Sequence, residues 1–410
     1  AIERLTGATL LGGHRIALQL DNAESRESLL AAIDGARERV HYQCYIVNDD
    51  DVARSILGAL TRAAGRGVAV RVLIDALYTG HHAFGMEHAG LTALGALAGA
   101  EVRASRPIDH APSLEDLKRR DHRKLVVIDG VRALVTGRNT GNEYYRSWHE
   151  VALGATSPWR EVPWLDAGAW LEGPVVENLE AMFSAAWCAA GGEPIAVRPV
   201  PPAGDVSLRL VVHRGLEDAF TLETYRVLID AAQRDLTIVN SFPLTFELLN
   251  ALLRARERGV RVRLLFGSPR PYHDGGSFPG GSWRDLANEL VRGRVVGLIA
   301  AGAEAFEFAV GAIPGWEPAL GKVRAAVHSK LLVVDGRVSV MGSANLDVTA
   351  SYWESELLLV IHDEGVAGAL LAAFDGWCVS SFRVDATAPE WSTRIERREW
   401  LSRNWPTWIG

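Results

Sequence analysis

Two stretches of the chain carry apolar and polar positions in the same order. Residues 33 to 74 read "IDGARERVHYQCYIVNDDDVARSILGALTRAAGRGVAVRVLI", and residues 229 to 265 read "IDAAQRDLTIVNSFPLTFELLNALLRARERGVRVRLL". In each, a strand-length apolar run ("VHYQCYIV", "LTIVNSF") precedes a stretch with apolar residues at helical spacing, and Gly-Val-x-Val-Arg opens a second strand. Gly67 and Gly259 fall where a helix C-cap belongs. "AGAE" occurs at 98 to 101 and again at 301 to 304, each time leading to another short strand-like run. Alternating strands and helices predict an α/β fold of two repeated lobes, each a mostly parallel mixed sheet flanked by helices. The Gly- and Pro-rich stretch "GGEPIAVRPVPPAGD" interrupts the pattern. It divides the chain into a first lobe (1–190), a linker (191–207), a second lobe (208–385) and a Trp/Arg-rich tail (386–410).

The repeat extends to a chemical motif. "DHRKLVVIDG" (121–130) returns as "VHSKLLVVDG" (327–336). On a strand, positions i and i+2 share a face, so His122 lies beside Lys124 and His328 beside Lys330. Each run ends in Asp-Gly, the dipeptide of a tight hairpin turn, which makes Asp129 and Asp335 turn residues before anything else. Past each hairpin, "GRN" and "GSAN" place Asn139 and Asn345 at the same distance from their histidines. Two lysines and two asparagines could surround one anion with donors.

Composition narrows the classes. With 48% hydrophobic and 23% charged residues, the chain is that of a globular protein, and no segment is both apolar and long enough to span a bilayer. A net charge of −7 opposes a broad nucleic-acid surface. Cys44, Cys188 and Cys378 are odd in number and lack metal-ligand spacing, so buried reduced thiols are expected. His81 and His82 read as a loop pair rather than a metal site.

The paired H-x-K-x4-D-G motifs, each followed by its glycine and asparagine, resemble the phospholipase D superfamily. "RDHRKLVVIDG", "GSANLD" and "WLDAGAWLEGP" are most similar to bacterial cardiolipin synthases, particularly short forms. The resemblance implies one active site at the lobe interface and phosphodiester transfer on phospholipids through a covalent phosphohistidine, without metal or other cofactor. Transfer to an alcohol is the expected outcome, with hydrolysis or nuclease action as alternatives. Phosphatidylglycerol or phosphatidylethanolamine would be the donor, and an alcohol or water the acceptor. By the same resemblance His122 is the nucleophile, His328 the general acid and base, and Lys124, Lys330, Asn139 and Asn345 bind phosphate oxygens.

Each histidine also needs an acceptor on its other ring nitrogen. Glu356 is the candidate from the second half. For the first-half histidine, Glu150 stands at the matching interval and Asp166 matches the family's tryptophan-proximal aspartate; Asp166 is preferred. The 13 tryptophans, four of them in the tail with Arg394, Arg397, Arg398 and Arg403, suit a cytoplasmic protein attached peripherally to a membrane, with secretion left open. The Gly-rich segment 267–283 is a second candidate for that surface.

Overall fold

The computed structural model describes residues 1–241, 243–268, 271–279, 284–385, 387–388, 391, 400–401 and 403–404. The first half holds β1 (Leu11–Gln19), β2 (Arg39–Cys44), β3 (Ala69–Asp75), β4 (Ala100–Ser105), β5 (Leu125–Ile128), β6 (Arg132–Thr136) and β7 (Gly168–Glu172). The second begins with β8 (Val206–Arg214), β9 (Asp235–Val239) and β10 (Arg261–Phe266), then β11 (Tyr272–His273), β12 (Gly276–Ser277), β13 (Glu304–Glu307), β14 (Ala309–Val310) and β15 (Val323–Arg324). It ends with β16 (Leu331–Val334), β17 (Val338–Gly342), β18 (Ser355–His362) and β19 (Phe382–Arg383).

Outward from β1 the sheet runs β7-β6-β5-β2-β3-β4, and outward from β8 it runs β18-β17-β16-β9-β10-β13, closed by β19. The path is the same, and antiparallel pairing of β1 with β8 fuses both lobes into one 15-stranded sheet. The short strands β11, β12, β14 and β15 form a separate small sheet. Each lobe is mixed, but the expectation of mostly parallel strands needs correction. Among the described strands only β2–β3–β4 and β9–β10–β13 pair in parallel, where helices cross over; the hairpins and their neighbours are antiparallel.

Local chemistry explains the repeated elements. Helix Asp51–Gly65 starts where the Asp50 carboxylate accepts the Ala53 N–H, buries Ile56, Leu60 and Ala63, and stops at Gly67 with φ 85°. Its counterpart Phe246–Glu257 is capped by Thr245 and followed by Gly259 at φ 86°. Helices Val175–Ala189 and Glu364–Ser380 cover the opposite face. There Leu179, Phe183, Leu370 and Phe374 join strand residues of both halves in a single core, so the lobes are packed together, not merely tethered. Cys44 is buried, Cys188 and Cys378 are half-buried, and none is paired. Among the described residues no helix is long and apolar enough to cross a membrane.

Much of the tail, and part of the Gly-rich segment 267–283, lie outside the described residues. Of the tail, Trp391 is buried, with its ring 6.1 Å from Phe266.

The two turn aspartates do more than bend the chain. Asp129 and Gly130 lie at φ 52° and 68°, Asp335 and Gly336 at 52° and 66°, and the turns close through Val131 N–H to Ile128 O and Arg337 N–H to Val334 O. The Asp129 carboxylate then accepts the backbone N–H groups of Arg37, Glu38 and Arg39 at 2.8–3.0 Å. Asp335 does the same for Gln233, Arg234 and Asp235 at 2.7–3.0 Å. Each thereby pins the start of the adjoining strand and sets its register. Asp129→Ala and Asp335→Ala are each expected to lower unfolding free energy by about 1–3 kcal/mol, because the strand's amides lose their acceptor. Urea denaturation checks this; unchanged midpoints would leave the clamps without energetic weight.

Candidate active site

The motif histidines and lysines sit just ahead of β5 and β16, at the end of the sheet where the lobes meet, rather than on the strands themselves. Each motif is held by backbone from the other half. His122 N–H donates to Ser355 O and Ser355 N–H to Arg120 O, at 3.0 and 2.8 Å; His328 N–H donates to Leu165 O and Leu165 N–H to Ala326 O, at 2.7 and 3.0 Å. The two imidazoles end with ring centroids 6.5 Å apart.

These crossed bridges carry the acids with them. His122 Nδ1 lies 2.8 Å from Glu356 Oε1, and His328 Nδ1 lies 2.6 Å from Asp166 Oδ2. The expectation that each acid serves the histidine of its own half is therefore corrected: the lobes exchange them. Glu150 is not involved. It lies on the surface, bonded at 2.7 Å to Arg26 and capping the Ser147 N–H. Glu356 also accepts a hydrogen bond from Ser343 Oγ. At the matching position Gly137 leaves no space, since a Cβ there would stand 2.3 Å from Asp166 Oδ1.

Lys124 and Lys330 fold back so that each Nζ donates to the carbonyl of its own motif histidine, at 2.6 Å for Lys124. Asn139 donates to the Tyr144 hydroxyl at 3.1 Å, while its buried Oδ1 has no partner among the described residues. Asn139 and Asn345 both line a cavity of about 280 Å³ between the two histidines.

Residues that motif reading does not find complete the cavity. Tyr45 stands edge-on to His122 at 4.5 Å, and Tyr144 and Trp164 flank His328 at 5.1 and 5.7 Å. Glu354, two residues before Glu356, occupies the place that Trp164 holds two residues before Asp166. It accepts from the Tyr45 hydroxyl at 3.1 Å and approaches His122 Nδ1 to 3.8 Å. The repeat does hold a signal for this pair, because both positions follow from counting back from the acids. The strand register likewise aligns Tyr45 with Ser241.

Charge distinguishes the two ends. Burial opposes ionisation of Asp166, yet the charges of His328, Lys330 and Arg138 hold its carboxyl at about 2. Burial instead pushes Glu356 up to about 7 against the pull of Lys124, and burial with the nearby Glu356 charge holds Glu354 well above the carboxylate range. Two carboxyls this close share a proton near neutrality. Burial and the lysine charges push His122 well below its ordinary value and His328 down to about 3; burial lowers Lys124, and Lys330 to about 7. His122, Glu354 and Glu356 lie close enough to ligate a metal, but the charges of Lys124 and Lys330 act on the same imidazole and favour an anion beside it. In the separate His81, His82 and Glu87 group, the carboxylate lies 2.7 and 3.0 Å from the Nδ1 atoms of the two rings, and His81 Nδ1 accepts the His88 N–H.

Known proteins resemble this chain in sequence and fold. The family model for "Cardiolipin synthase, PLD-like domain" matches residues 29–187 and 225–377. Cardiolipin synthase A of Pseudomonas aeruginosa (strain UCBPP-PA14) is 30% identical over 381 residues, which are 92% of this chain and 69% of that protein. Cardiolipin synthase A of Pseudomonas fluorescens (strain SBW25) is 29% identical over 371 residues, 90% of this chain and 69% of its own. Among solved structures, phosphatidylserine synthase of Haemophilus influenzae Rd KW20 has the same fold, with a TM-score of 0.68 at 14% identity, covering 98% of this chain and 95% of that one. Polyphosphate kinase of Porphyromonas gingivalis matches with a TM-score of 0.54 at 12% identity, covering 91% of this chain and 49% of that one.

Exchange of the acids gives a direct expectation. In Asp166→Asn the imidazole ¹⁵N signals of His328 should shift and those of His122 stay, and in Glu356→Gln the reverse. A shift confined to the histidine of the same half in either variant would contradict the crossed arrangement.

Proposed function

The chain belongs to the cardiolipin synthase, phospholipase D-like family, and from that premise we propose that it transfers a phosphatidyl group from a phospholipid to an alcohol through a phosphohistidine. The observation that carries the reading is the facing pair of imidazoles, each with Nδ1 held by an acid of the opposite lobe, which leaves Nε2 as the ring nitrogen to meet a diester. One imidazole cannot attack phosphorus and protonate the leaving oxygen at once, and two can.

In the first step His122 Nε2 forms a bond to phosphorus, the bond to the head-group oxygen breaks, and the proton on His328 Nε2 passes to that oxygen. In the second, an acceptor alcohol returns its proton to His328 while its oxygen displaces His122. Lys124, Lys330, Asn139 and Asn345 hold the non-bridging oxygens, with the lysines giving the charge-assisted bonds. The Asp166 carboxylate works against the burial and lysine charge that lower His328, and the diester's own negative charge adds to it, so the imidazolium forms in the complex. The proton shared by Glu354 and Glu356 leaves less negative charge beside His122 and favours its neutral, nucleophilic form.

His122→Ala and His328→Ala are each expected to lower turnover of a natural diester by at least about 10³-fold. An activated diester with a low-pKa leaving group should still phosphorylate His122 in the His328→Ala protein, as read by mass spectrometry of quenched enzyme. Finding the adduct on His328 would reverse the roles. Incubation with phosphatidylglycerol, phosphatidylethanolamine and glycerol separates the outcomes: cardiolipin or an exchanged head group supports transfer, and phosphatidic acid alone makes the protein a hydrolase.

Lys330 gives a pH dependence with a defined sign. It is the protonated form that binds the anion, and burial brings its loss down to about 7. Affinity for a diester phosphonate analogue should therefore weaken as pH rises above 7, by up to roughly tenfold per unit until the value in the complex is reached. The Lys330→Met protein should bind weakly with a flatter profile. Constant wild-type inhibition from pH 6 to 9 would remove Lys330 from the anion site.

A further inference from the structure

Among the described residues twelve large apolar side chains are exposed, and five of them fall in two short segments: Tyr78, Phe84 and Met86 in one, Leu114 and Leu117 in the other. Both segments border the catalytic cavity, which Tyr78 and Lys118 line. Scattered exposed side chains need no explanation, but this concentration at a single mouth does.

The segments are built, not loose. Phe84 N–H donates to Ile108 O and Ile108 N–H to His82 O, while His82 N–H donates to Met86 O and Met86 N–H to Ala83 O. Ala76, Ala83 and Ile108 bury a small core of their own beneath. Among the described residues, apart from the two turn aspartates, the non-glycine residues with left-handed backbone are His82 and Phe84 in the first segment and Arg106 two residues before Ile108. Backbone this unfavourable persists only where surrounding bonds enforce it, and here it holds Phe84 outward. In the second segment a capping box of Ser113 and Asp116 starts the helix Leu114–Lys118, which points Leu114 and Leu117 out from one face.

We infer that these two segments form an apolar rim that inserts into a phospholipid bilayer and brings the cavity mouth to the lipid head groups. The inference rests on the phosphatidyl-transfer reading, which requires a diester whose acyl chains stay in the membrane while its phosphate reaches the histidines. Continuity of the rim with the mouth supplies the occupant: whatever covers these side chains also covers the way in. Charge points to insertion rather than electrostatic attachment. Arg106, Lys118 and Arg119 are matched by Asp109, Glu115 and Asp116, and Arg119 is already paired with Glu115 and Glu217.

The test compares the full chain with the double variants Phe84→Ser/Met86→Ser and Leu114→Ser/Leu117→Ser. Sedimentation with phosphatidylcholine vesicles, with and without phosphatidylglycerol, should show the wild type bound in both at moderate salt, and each double variant weakened at least tenfold. Turnover of dihexanoyl phosphatidylglycerol below its micellar concentration should stay within twofold of wild type, which also reports that the variants fold. Variants that sediment like the wild type would overturn the rim, as would binding that requires anionic lipid and vanishes with salt. Loss of a dimer in the variants, with vesicle binding unmoved, would make the patch a contact between copies and likewise overturn it. A wild type that binds vesicles through these residues but turns over no diester would sink the catalytic reading and leave the rim standing.

Discussion

A buried imidazole keeps one orientation only with an acceptor within hydrogen-bonding reach of its ring nitrogen, and in this protein neither half provides the acid for its own histidine. Glu356 reaches across to His122 and Asp166 to His328. The site therefore exists only when the lobes are docked, and removing one partner of such a buried pair typically costs about 3–5 kcal/mol. Much of the architecture serves that docking. The β1–β8 ladder joins the sheets, the core beneath Val175–Ala189 and Glu364–Ser380 runs through both halves, and the crossed backbone bridges fix each histidine beside the opposite acid strand.

The same burial gives the site its chemistry. Each lysine donates to the carbonyl of its own motif histidine, Lys124 also lies 4.8 Å over the Tyr45 ring, and an ammonium with three donors keeps capacity for an anion. Three carboxyls surround them, but two lie side by side and cannot both stay ionised at neutrality. Near-symmetric surroundings thus produce two unlike histidines, one against a carboxyl held low by nearby cations and one against a pair whose burial and mutual repulsion hold it high.

Much of this was legible in the residues themselves. The repeat, the Asp-Gly turns and the register of His122, Lys124 and Asn139 with His328, Lys330 and Asn345 all depend on local spacing, which the fold preserves. The exchange of acids was not, because spacing places Asp166 near the first motif in the chain and says nothing about which way the lobes face. Glu150 misled for the same reason: it stands at the interval of Glu356, but the first lobe reaches its acid strand only after a longer excursion, and Arg26 holds Glu150 on the outside. The proportion of parallel strands was overestimated because helix-crossed strands dominate the sequence pattern, while the short hairpin strands dominate the centre of the sheet. Glu354 stayed hidden as one acid in "WESE", where only burial separates it from an ordinary surface glutamate.

Trp164 and Glu354 also bear on how such a molecule could arise. A pair of identical single-lobe subunits could assemble the same crossed site about a true two-fold axis, but every substitution at its centre would then occur twice. With both lobes on one chain, an aromatic ring can stand at one end of the cavity and a carboxyl at the other. Fusion of the copies thus removes a constraint that identical subunits cannot escape, and lets the two halves of a duplicated site diverge from one another.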